Sequence, residues 1–178
     1  MKLSKAVLDN FIDGEMSAFQ DVYEVSKSFV YNTIYKMVLS EQDAQDLMHD
    51  VYVRVYEKRH QYKKDYSIYT WINRIAINHV LNFIKRKNSF VNKLAEVGFF
   101  YEQKSNDEQN DEGEALQLLQ KLKPKYRLPI VLKDIQDLSY EEVASLLNIP
   151  IGTVRSRLSR GRKQLKERYE REVLNGKQ

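Results

Sequence analysis

Residues 138–158 read LSYEEVASLLNIPIGTVRSRL and contain two amphipathic helical patterns separated by a short break. Ser139 and Glu142 have the spacing of a capping box, in which the serine oxygen accepts a backbone N–H and the glutamate binds the amide of the cap residue. A helix therefore begins here, and Asn148 and Pro150 end it. Two amphipathic helices with so short a connection predict a helix-turn-helix. The positions expected to be buried are Tyr140, Val143, Ala144 and Leu147 in the first helix and Ile151, Val154, Leu158 and Leu165 in the second.

The second helix of this pair carries hydrogen-bond donors between its apolar positions. A recognition helix needs such side chains to reach base edges in the major groove and to meet the flanking phosphates. Residues 151–166 contain no Asp or Glu, whereas an ordinary exposed helix mixes charges of both signs. A solvated basic face is the competing interpretation. The candidate contacts to duplex DNA are Thr153, Arg155, Ser156, Arg157, Ser159, Arg160, Arg162 and Lys163.

Charge is distributed unevenly along the 178 residues, although the net charge is only +4. Residues 1–101 carry 14 basic and 12 acidic side chains, residues 102–114 carry one and six, and residues 115–178 carry 14 and seven. The basic C-terminal third indicates a polyanionic partner. The middle stretch, EQKSNDEQNDEGE, has no apolar residue, so burial cannot offset the entropy lost on ordering it. We therefore expect two small helical domains, 1–101 and 115–178, joined by a flexible acidic linker at 102–114.

The first hundred residues also have helical periodicity, so the predicted fold class is all-α. Helices are expected at about residues 4–13, ending near Gly14, at 17–38, after an N-cap at Ser40, and at 67–87. The apolar positions of the third helix are Ala44, Leu47, Met48, Val51 and Val55.

An acidic stripe lies beside the apolar positions of this third helix. Asp46, Asp50, Val53 and Glu57 share one face, and Asp43 stands one turn before Asp46. An acidic face that includes an apolar residue suits docking against a basic partner helix. A merely solvated acidic face is the alternative.

The fourth helix carries a row of polar side chains, because Arg74, Asn78, Asn82 and Lys85 recur at helical spacing. Amide groups can bind the hydrogen-bonding edge of an exposed base. The loop before this helix supplies aromatic rings next to positive charge, which is the combination that single-stranded DNA binding needs. Trp71 suits core packing equally well. The candidate contacts to single-stranded DNA are Tyr62, Lys63, Lys64, Tyr66, Tyr69, Trp71, Arg74, Asn78, Asn82, Lys85 and Arg86.

Several classes of protein are disfavoured by composition. The chain has no cysteine, which argues against disulfides, thiolate zinc sites and cysteine nucleophiles. Its three histidines, at 49, 60 and 79, are too dispersed for a metal motif, so neither a metal nor another cofactor is expected. No apolar run approaches the ~18 residues of a membrane span. The N-terminal stretch is interrupted by acidic residues, unlike a secretory signal. We expect a cytoplasmic protein without direct membrane insertion.

Both halves of the chain resemble one family. Residues 138–158, and GTVRSR within them in particular, resemble region 4 of the extracytoplasmic-function sigma factors, a class of the sigma-70 family. Residues 43–56, DAQDLMHDVYVRVY, are similar to sigma region 2.2. Residues 69–78, YTWINRIAIN, together with Asn82 and residues 85–87, are similar to regions 2.3 and 2.4. The resemblance covers nearly the whole chain outside the acidic linker.

The resemblance implies a non-enzymatic subunit that binds core RNA polymerase and directs promoter-specific initiation, with stress response as its setting. Region 4 would read the −35 element, and region 2 would recognise and melt the −10 element. The acidic stripe would contact the coiled-coil clamp of the largest polymerase subunit, and an anti-sigma factor is a further candidate partner. His49 and Tyr56 depart from the glutamine and tryptophan common in the family. The candidate polymerase contacts are Asp43, Asp46, His49, Asp50 and Val53.

Two other classes compete with this interpretation. A helix-turn-helix regulator that does not join the polymerase would need a receiver or ligand domain, but residues 1–100 show no alternating strand pattern. A serine recombinase, the enzymatic alternative, would need strands and clustered arginines, whereas the first 60 residues contain arginine only at 54 and 59. A structural adaptor would leave the basic helix unexplained.

Overall fold

A computed structural model of the protein describes residues 3–96 and 113–175. Every regular element in these two stretches is helical, which confirms the all-α prediction. Among the described helices, none is both long and apolar enough to cross a membrane. The chain divides into two compact units, Met1–Ser89 and Phe90–Gln178. The α-helices are α1 (Lys5–Asp13), α2 (Met16–Val38), α3 (Glu41–Glu57), α4 (Ile68–Glu96), α5 (Gly113–Gln120), α6 (Pro124–Ile130), α7 (Tyr140–Leu147) and α8 (Ile151–Asn175).

Two of the predicted boundaries in the first unit are confirmed, the end of α1 at Gly14 and the N-cap of α3 at Ser40. Ser4 caps α1 by accepting a backbone N–H bond of 3.3 Å, and Ser40 caps α3 with one of 3.2 Å. Gly14 ends α1 in the left-handed conformation, with a φ of 94°. An added Cβ at Gly14 would lie 2.7 Å from the guanidinium of Arg59, which could move aside, so it is the backbone conformation that favours glycine here.

The core of the first unit combines apolar side chains from α1, α2, α3 and α4. The predicted apolar positions of α3 are buried, except that Met48 is half-buried. Tyr52 is buried as well, and its hydroxyl shares a 2.7 Å hydrogen bond with Ser26 of α2. Burial of such apolar surface, worth roughly 25 cal/mol per Å², is the main force that holds the four helices together. The largest fully buried side chains in this unit include Phe11, Ile34, Met37, Ile72 and Ile77.

The α4 helix continues past the predicted end at Lys87 and is described as far as Glu96. The prediction ended it at the basic residues 85–87, where cations favour a helix C-terminus. Residues 88–96, NSFVNKLAE, contain neither proline nor glycine, so nothing local terminates the helix there.

The predicted linker at 102–114 lies almost entirely outside the described residues. The structure describes only its last two positions, which open α5 at Gly113. The domain limits at 101 and 115 therefore stay predictions.

In the second unit the proline pattern produces an irregular helix. Pro124 stands in the first turn of α6, where its missing N–H costs nothing. Pro129 lies inside the same helix and is followed by a π-helix at Val131–Ile135, in which Gln136 donates its backbone N–H to the carbonyl of Val131 at 3.0 Å. A proline in a helix interior removes one hydrogen bond and displaces the preceding turn, which accounts for the wider turn after it.

The helix-turn-helix consists of α7 and α8. Both bonds of the predicted capping box are present, since Ser139 N–H donates to the carboxylate of Glu142 at 2.9 Å and Glu142 N–H donates to the serine hydroxyl at 3.1 Å. Asn148 ends α7 with a positive φ of 52°. Buried side chains at Val143 and Val154 join the two helices, together with Ala144 and Leu158.

The predicted core of this motif needs corrections. Ile151 was expected to be buried but is 36% exposed, because it opens the first turn of α8 at the edge of the motif. Tyr140, Leu147 and Leu165 are half-buried instead of buried. Gly161 is buried against α6, where an added Cβ would lie 2.7 Å from the side chain of Ile130.

Candidate nucleic-acid interface

The donor side chains of α8 form one exposed face beyond the buried pair Val154 and Leu158. Thr153 and Arg157 are half-buried at the edges of this face. Ser156 donates its hydroxyl to the carbonyl of Thr153 at 3.0 Å. The fully exposed members of the predicted set are Arg155, Ser156, Ser159, Arg160, Arg162 and Lys163.

Arginines of this face contact other parts of the second unit, and one of them, Arg160, hydrogen-bonds the hydroxyl of Tyr126 in α6. Arg162 donates two hydrogen bonds to the carboxylate of Asp134, at 3.0 and 2.6 Å, and this partner raises the pKa of Arg162. The guanidinium of Arg155 lies over the ring of Tyr140, 5.6 Å from its centroid, at a distance typical of a cation–π contact. The recognition helix is thus tied to the π-helix and to α7 by side chains that were predicted only as DNA contacts.

The predicted polar row is present on α4. Arg74, Asn78, Asn82 and Lys85 are all exposed, as is the adjacent Arg86. The amide of Asn78 donates to the backbone carbonyl of Arg74 at 2.9 Å, which leaves its oxygen as an acceptor.

A groove of about 560 Å³ lies between α3 and α4, beside this row. Asp50, Arg54 and Lys58 line it from α3, and Asn78 and Asn82 line it from α4. Arg54 and Lys58 were not predicted as DNA contacts. They lie in α3 and at its C-cap, where docking on polymerase was predicted, and no local pattern indicates that α4 lies alongside them. Other lining residues are Leu47, Trp71, Arg74, Ile75, His79, Phe83 and Arg86.

The aromatic residues around the loop differ widely in exposure. Tyr62, predicted to offer a stacking surface, is 5% exposed and donates its hydroxyl to the carbonyl of Tyr66 at 2.8 Å. Its ring packs against Trp71, which is half-buried and also contacts Phe11. Tyr66 is 64% exposed, while Tyr69 is half-buried with its ring edge-on to another aromatic side chain. The prediction for Tyr62 is therefore corrected, since its ring belongs to the core, and Tyr66 is the accessible ring.

The two lysines of the loop are both exposed. Lys64 forms an ion pair with Asp9 of α1. This ion pair holds the loop against α1. It also engages Lys64, one of the cations predicted to contact single-stranded DNA.

The acidic stripe on α3 is exposed at Asp46, Asp50, Val53 and Glu57, and His49 beside it is exposed too. Val53 is 45% exposed in the middle of these acidic side chains, so the stripe includes an accessible apolar residue. Asp43 differs from the others because it is half-buried, and its carboxylate accepts a hydrogen bond from Lys87 at 2.7 Å.

A hydrogen-bonded chain of three side chains joins α3 to α4. Arg54 donates its Nε–H to Nδ1 of His79 at 3.1 Å, and Nε2 of the same ring lies 3.2 Å from the carboxylate of Asp50. Because the arginine can only donate, the neutral ring must accept at Nδ1 and donate from Nε2. Burial, helped by the positive charge of Arg54, lowers the pKa of His79. No local pattern predicts this chain, because Arg54 and Asp50 are 25 and 29 residues away from His79.

The structure thus consists of two helical units. One has a helix-turn-helix with a donor-rich face, and the other has an acidic face and a polar row beside a groove. Family models match the same two parts of the chain. A model for sigma-70 region 2 matches residues 22–90, and one for sigma-70 region 4 matches residues 112–165.

Similar proteins belong to the same class. The chain is 32% identical over 168 residues to the ECF RNA polymerase sigma factor SigW of Bacillus subtilis, covering 86% of this chain and 90% of that one. It is 30% identical over 161 residues to the ECF RNA polymerase sigma factor SigE of Mycolicibacterium smegmatis, covering 85% of this chain and 62% of that one. The sigma factor RpoE of Bartonella quintana, solved in complex with the anti-sigma factor NepR, has the same fold, with a TM-score of 0.63, 22% identity, and coverage of 84% of this chain and 94% of that one.

The chain belongs to the ECF sigma factors of the sigma-70 family, the subunits that bind RNA polymerase and direct transcription initiation. Members of this family are DNA-binding initiation factors and not enzymes, and the ECF class serves stress responses. The two family matches therefore decide against the unattached regulator and against the serine recombinase.

Proposed function

We propose that the two units divide promoter recognition between intact and opened DNA. The second unit, which we place at residues 115–178, would bind the −35 element as duplex DNA. The first unit, which we place at residues 1–101, would dock on core polymerase and capture the −10 element as it opens. The segment 102–114 would act as a flexible connection between them.

The observation that carries the proposal is the exposed, acid-free face of α8. Its cationic and hydroxyl side chains stand on a helix that packs through Val154 and Leu158 against α7, which itself begins with a complete capping box. Preorganised donors of this kind suit base edges and phosphates of a major groove. We assign base or phosphate contacts to Arg155, Ser156, Arg157, Ser159 and Arg160, with Thr153 and Lys163 at the margins. Arg162 has a carboxylate partner already, so we assign it mainly to holding α8 in place.

The polar row of α4 supports the second half of the division. Asn78 and Asn82 carry neutral amides that can both donate and accept, as the edge of an unpaired base requires. The exposed ring of Tyr66 provides a stacking surface beside them, and exposed cations at Lys63 and Lys85 are available for phosphates.

The acidic stripe of α3 is proposed to bind the coiled-coil clamp of the largest polymerase subunit. Asp46, Asp50 and Glu57 present negative charge around the exposed Val53. Opposite charges across an interface steer association, while an apolar residue at its centre contributes affinity. His49 lies at the edge of this surface. Asp43, with Lys87 as its partner, would contribute less.

We also propose an anti-sigma factor as a regulatory partner, in line with the complex known for the Bartonella quintana protein. The cytoplasm is the proposed location, because core polymerase and promoter DNA are there.

Transcription with purified core polymerase on fragments of the source genome tests the proposal. Wild-type protein should start transcription at a defined set of promoters that share −35 and −10 sequences. A variant with Arg155→Ala and Arg160→Ala should lose these starts while still binding core polymerase. The matched control is Lys166→Ala with Arg171→Ala, which removes two exposed cations farther along the same helix. Equal loss in both variants would mean that general charge, not the proposed face, is responsible.

A further inference from the structure

A carboxylate from another element lies against the exposed face of α8. Residues 151–166 contain no acid, but Arg162 donates from Nε and from a terminal nitrogen to Asp134 of the π-helix, over 3.0 and 2.6 Å. Arg155, Ser159 and Arg162 recur at i, i+4 and i+7, so Arg162 shares the face to which we assign DNA contacts. Asp134 therefore binds the same pair of donors that a phosphate group would bind.

The position of Asp134 follows from the π-helix. Val131 and Leu132 are buried and anchor this wide turn in the core, while Asp134 is exposed beside α8. The ion pair stays open to solvent, because the side chains of Arg162 and Asp134 are 51% and 31% exposed. Ion pairs in solvent contribute little to stability, whereas π-turns within helices are frequent at functional sites. A role in DNA binding therefore explains this contact better than stability alone.

Tyr140 of α7 adds a second restraint on the same arginine. Its hydroxyl interacts with Arg162, and its ring lies 5.6 Å from the guanidinium of Arg155. Lys133, the neighbour of Asp134 in the π-helix, lies 5.7 Å from the centroid of the same ring. Arg162 thus interacts with both the π-helix and α7 before any DNA is bound.

An arginine paired in this way adds little to the attraction for DNA. Sequence-independent binding to a duplex comes from the counterions released when protein cations neutralise phosphates. The pair of Arg162 and Asp134 carries no net charge, and a phosphate would have to displace two charge-assisted hydrogen bonds. The carboxylate also repels any phosphate that approaches this end of the face.

We propose that Asp134 limits the affinity of α8 for duplex DNA of any sequence, because it keeps Arg162 from binding a phosphate. Binding would then depend more on contacts to bases and on docking of the first unit. This inference rests on the proposed role of α8 in binding the −35 element.

The test measures binding of the full-length protein to two fluorescent duplexes of equal length, by anisotropy at several salt concentrations. One duplex carries the −35 sequence of a promoter mapped for this protein, and the other carries a scrambled sequence. Asp134→Asn frees Arg162 for one phosphate, so the affinity for both duplexes should rise severalfold and the log–log salt slope should steepen by about 0.9. A misfolded variant would lose affinity, so unfolding cannot mimic this gain.

The matched control is Asp137→Asn, which removes the same charge from the same segment. Asp137 is 97% exposed and pairs with Lys133 instead of α8, so this variant should bind both duplexes as wild type does. Arg162→Gln by itself should leave the salt slope unchanged, because the arginine is already neutralised. Combined with Asp134→Asn, it should abolish the steeper slope.

Three results would overturn the inference. The first is an affinity of Asp134→Asn equal to or below that of Asp137→Asn. The second is a gain confined to the −35 duplex, which would mean that the freed Arg162 reads a base. The third is a slope that Arg162→Gln alone flattens by about 0.9, since Arg162 would then contact a phosphate despite Asp134.

Failure of this inference can be told from failure of the proposed function. If Arg155→Ala combined with Arg160→Ala leaves the affinity for the −35 duplex unchanged, the proposed role of α8 is wrong and the inference falls with it. If that double variant binds weakly while Asp134→Asn matches Asp137→Asn, only the inference is wrong.

Discussion

The exposed face of α8 and the polar row of α4 both offer hydrogen-bond donors, yet they differ in charge and in surroundings. On α8 the donors are guanidinium and hydroxyl groups, and residues 151–166 contain no acid. On α4 the central donors are neutral amides, and the neighbouring groove includes the carboxylate of Asp50. A dense positive face suits an intact duplex, whose phosphates supply most of the attraction. Neutral amides suit an unpaired base, which offers hydrogen bonds with little charge. Under the proposed division, one kind of element, a helix face, would serve two states of DNA.

The largest expected effect concerns neither DNA face but the acidic stripe that we propose as the polymerase-docking surface. Asp46→Lys combined with Asp50→Lys reverses two exposed charges and should lower core-polymerase affinity at least about tenfold, or about 1.4 kcal/mol. The DNA affinity of the second unit should not change. Competition against a labelled wild-type protein for core polymerase measures this loss.

The control for that variant is Asp13→Lys with Asp21→Lys, which changes net charge equally at exposed positions of α1 and α2. It should leave core affinity within about twofold of wild type, since long-range charge is screened at physiological salt. Unchanged affinity in the Asp46 and Asp50 variant would reject this face as the docking surface.

The next largest effect concerns the DNA affinity of the exposed face of α8. Arg155→Ala, Arg157→Ala and Arg160→Ala should weaken binding to −35 duplex DNA, by about 1–3 kcal/mol wherever the arginine reads a base. A phosphate-contacting arginine should instead weaken all sequences alike and flatten the salt dependence. Arg162→Ala should cost less than about 1 kcal/mol in DNA binding or stability, because its partner Asp134 already occupies it at the surface. Wild-type affinity in the first three variants, measured by titrating duplexes of matched and altered sequence, would remove α8 as the reading helix.

Local signals in the sequence were enough to predict most of the fold. The capping box at Ser139 and Glu142 and the serine cap at Ser40 depend on residues within one turn of each other, so these signals do not depend on the tertiary arrangement. The continuation of α4 past Lys87 was not predicted, because the cations at residues 85–87 are typical of a helix C-terminus.

Long-range contacts explain what the sequence could not predict in the site. Asp134 and Arg162 are 28 residues apart, and only the packing of the π-helix beside α8 brings them together. The burial of Tyr62 likewise depends on the contact of its ring with Trp71 and on the loop conformation that brings the Tyr66 carbonyl to its hydroxyl. Residue type and spacing can thus propose a donor face, but they cannot say which donors already have partners.

The smallest expected effect is a pH dependence of the free energy of unfolding of the first unit. Burial and Arg54 lower the pKa of His79, so the unfolded chain binds a proton more readily than the folded one. The stability that the neutral ring provides is fully present above the ordinary value of 6.5 and is lost as pH falls below it through the folded pKa. The free energy of unfolding should therefore fall less steeply with acidification in His79→Gln than in wild type.

Urea titrations followed by fluorescence can measure this difference, because Trp71 is the chain's single tryptophan and lies in the first unit. His60→Gln, at an exposed position, is the matched control and should titrate like wild type. Parallel pH profiles for His79→Gln and wild type would show that the Arg54–His79–Asp50 chain does not contribute to stability.

Permanganate footprinting of unpaired thymines, run beside a filter-binding assay of promoter occupancy, tests the division between duplex and single strand most directly. Asn78→Ala holoenzyme should occupy duplex promoter DNA normally but show reduced thymine reactivity, and the defect should shrink when mismatches pre-melt the −10 region. Asn32→Ala, which removes an exposed amide on α2, should behave as wild type in both assays. Normal thymine reactivity for Asn78→Ala on duplex promoter DNA, or a loss of occupancy equal to the loss of opening, would contradict the division of labour.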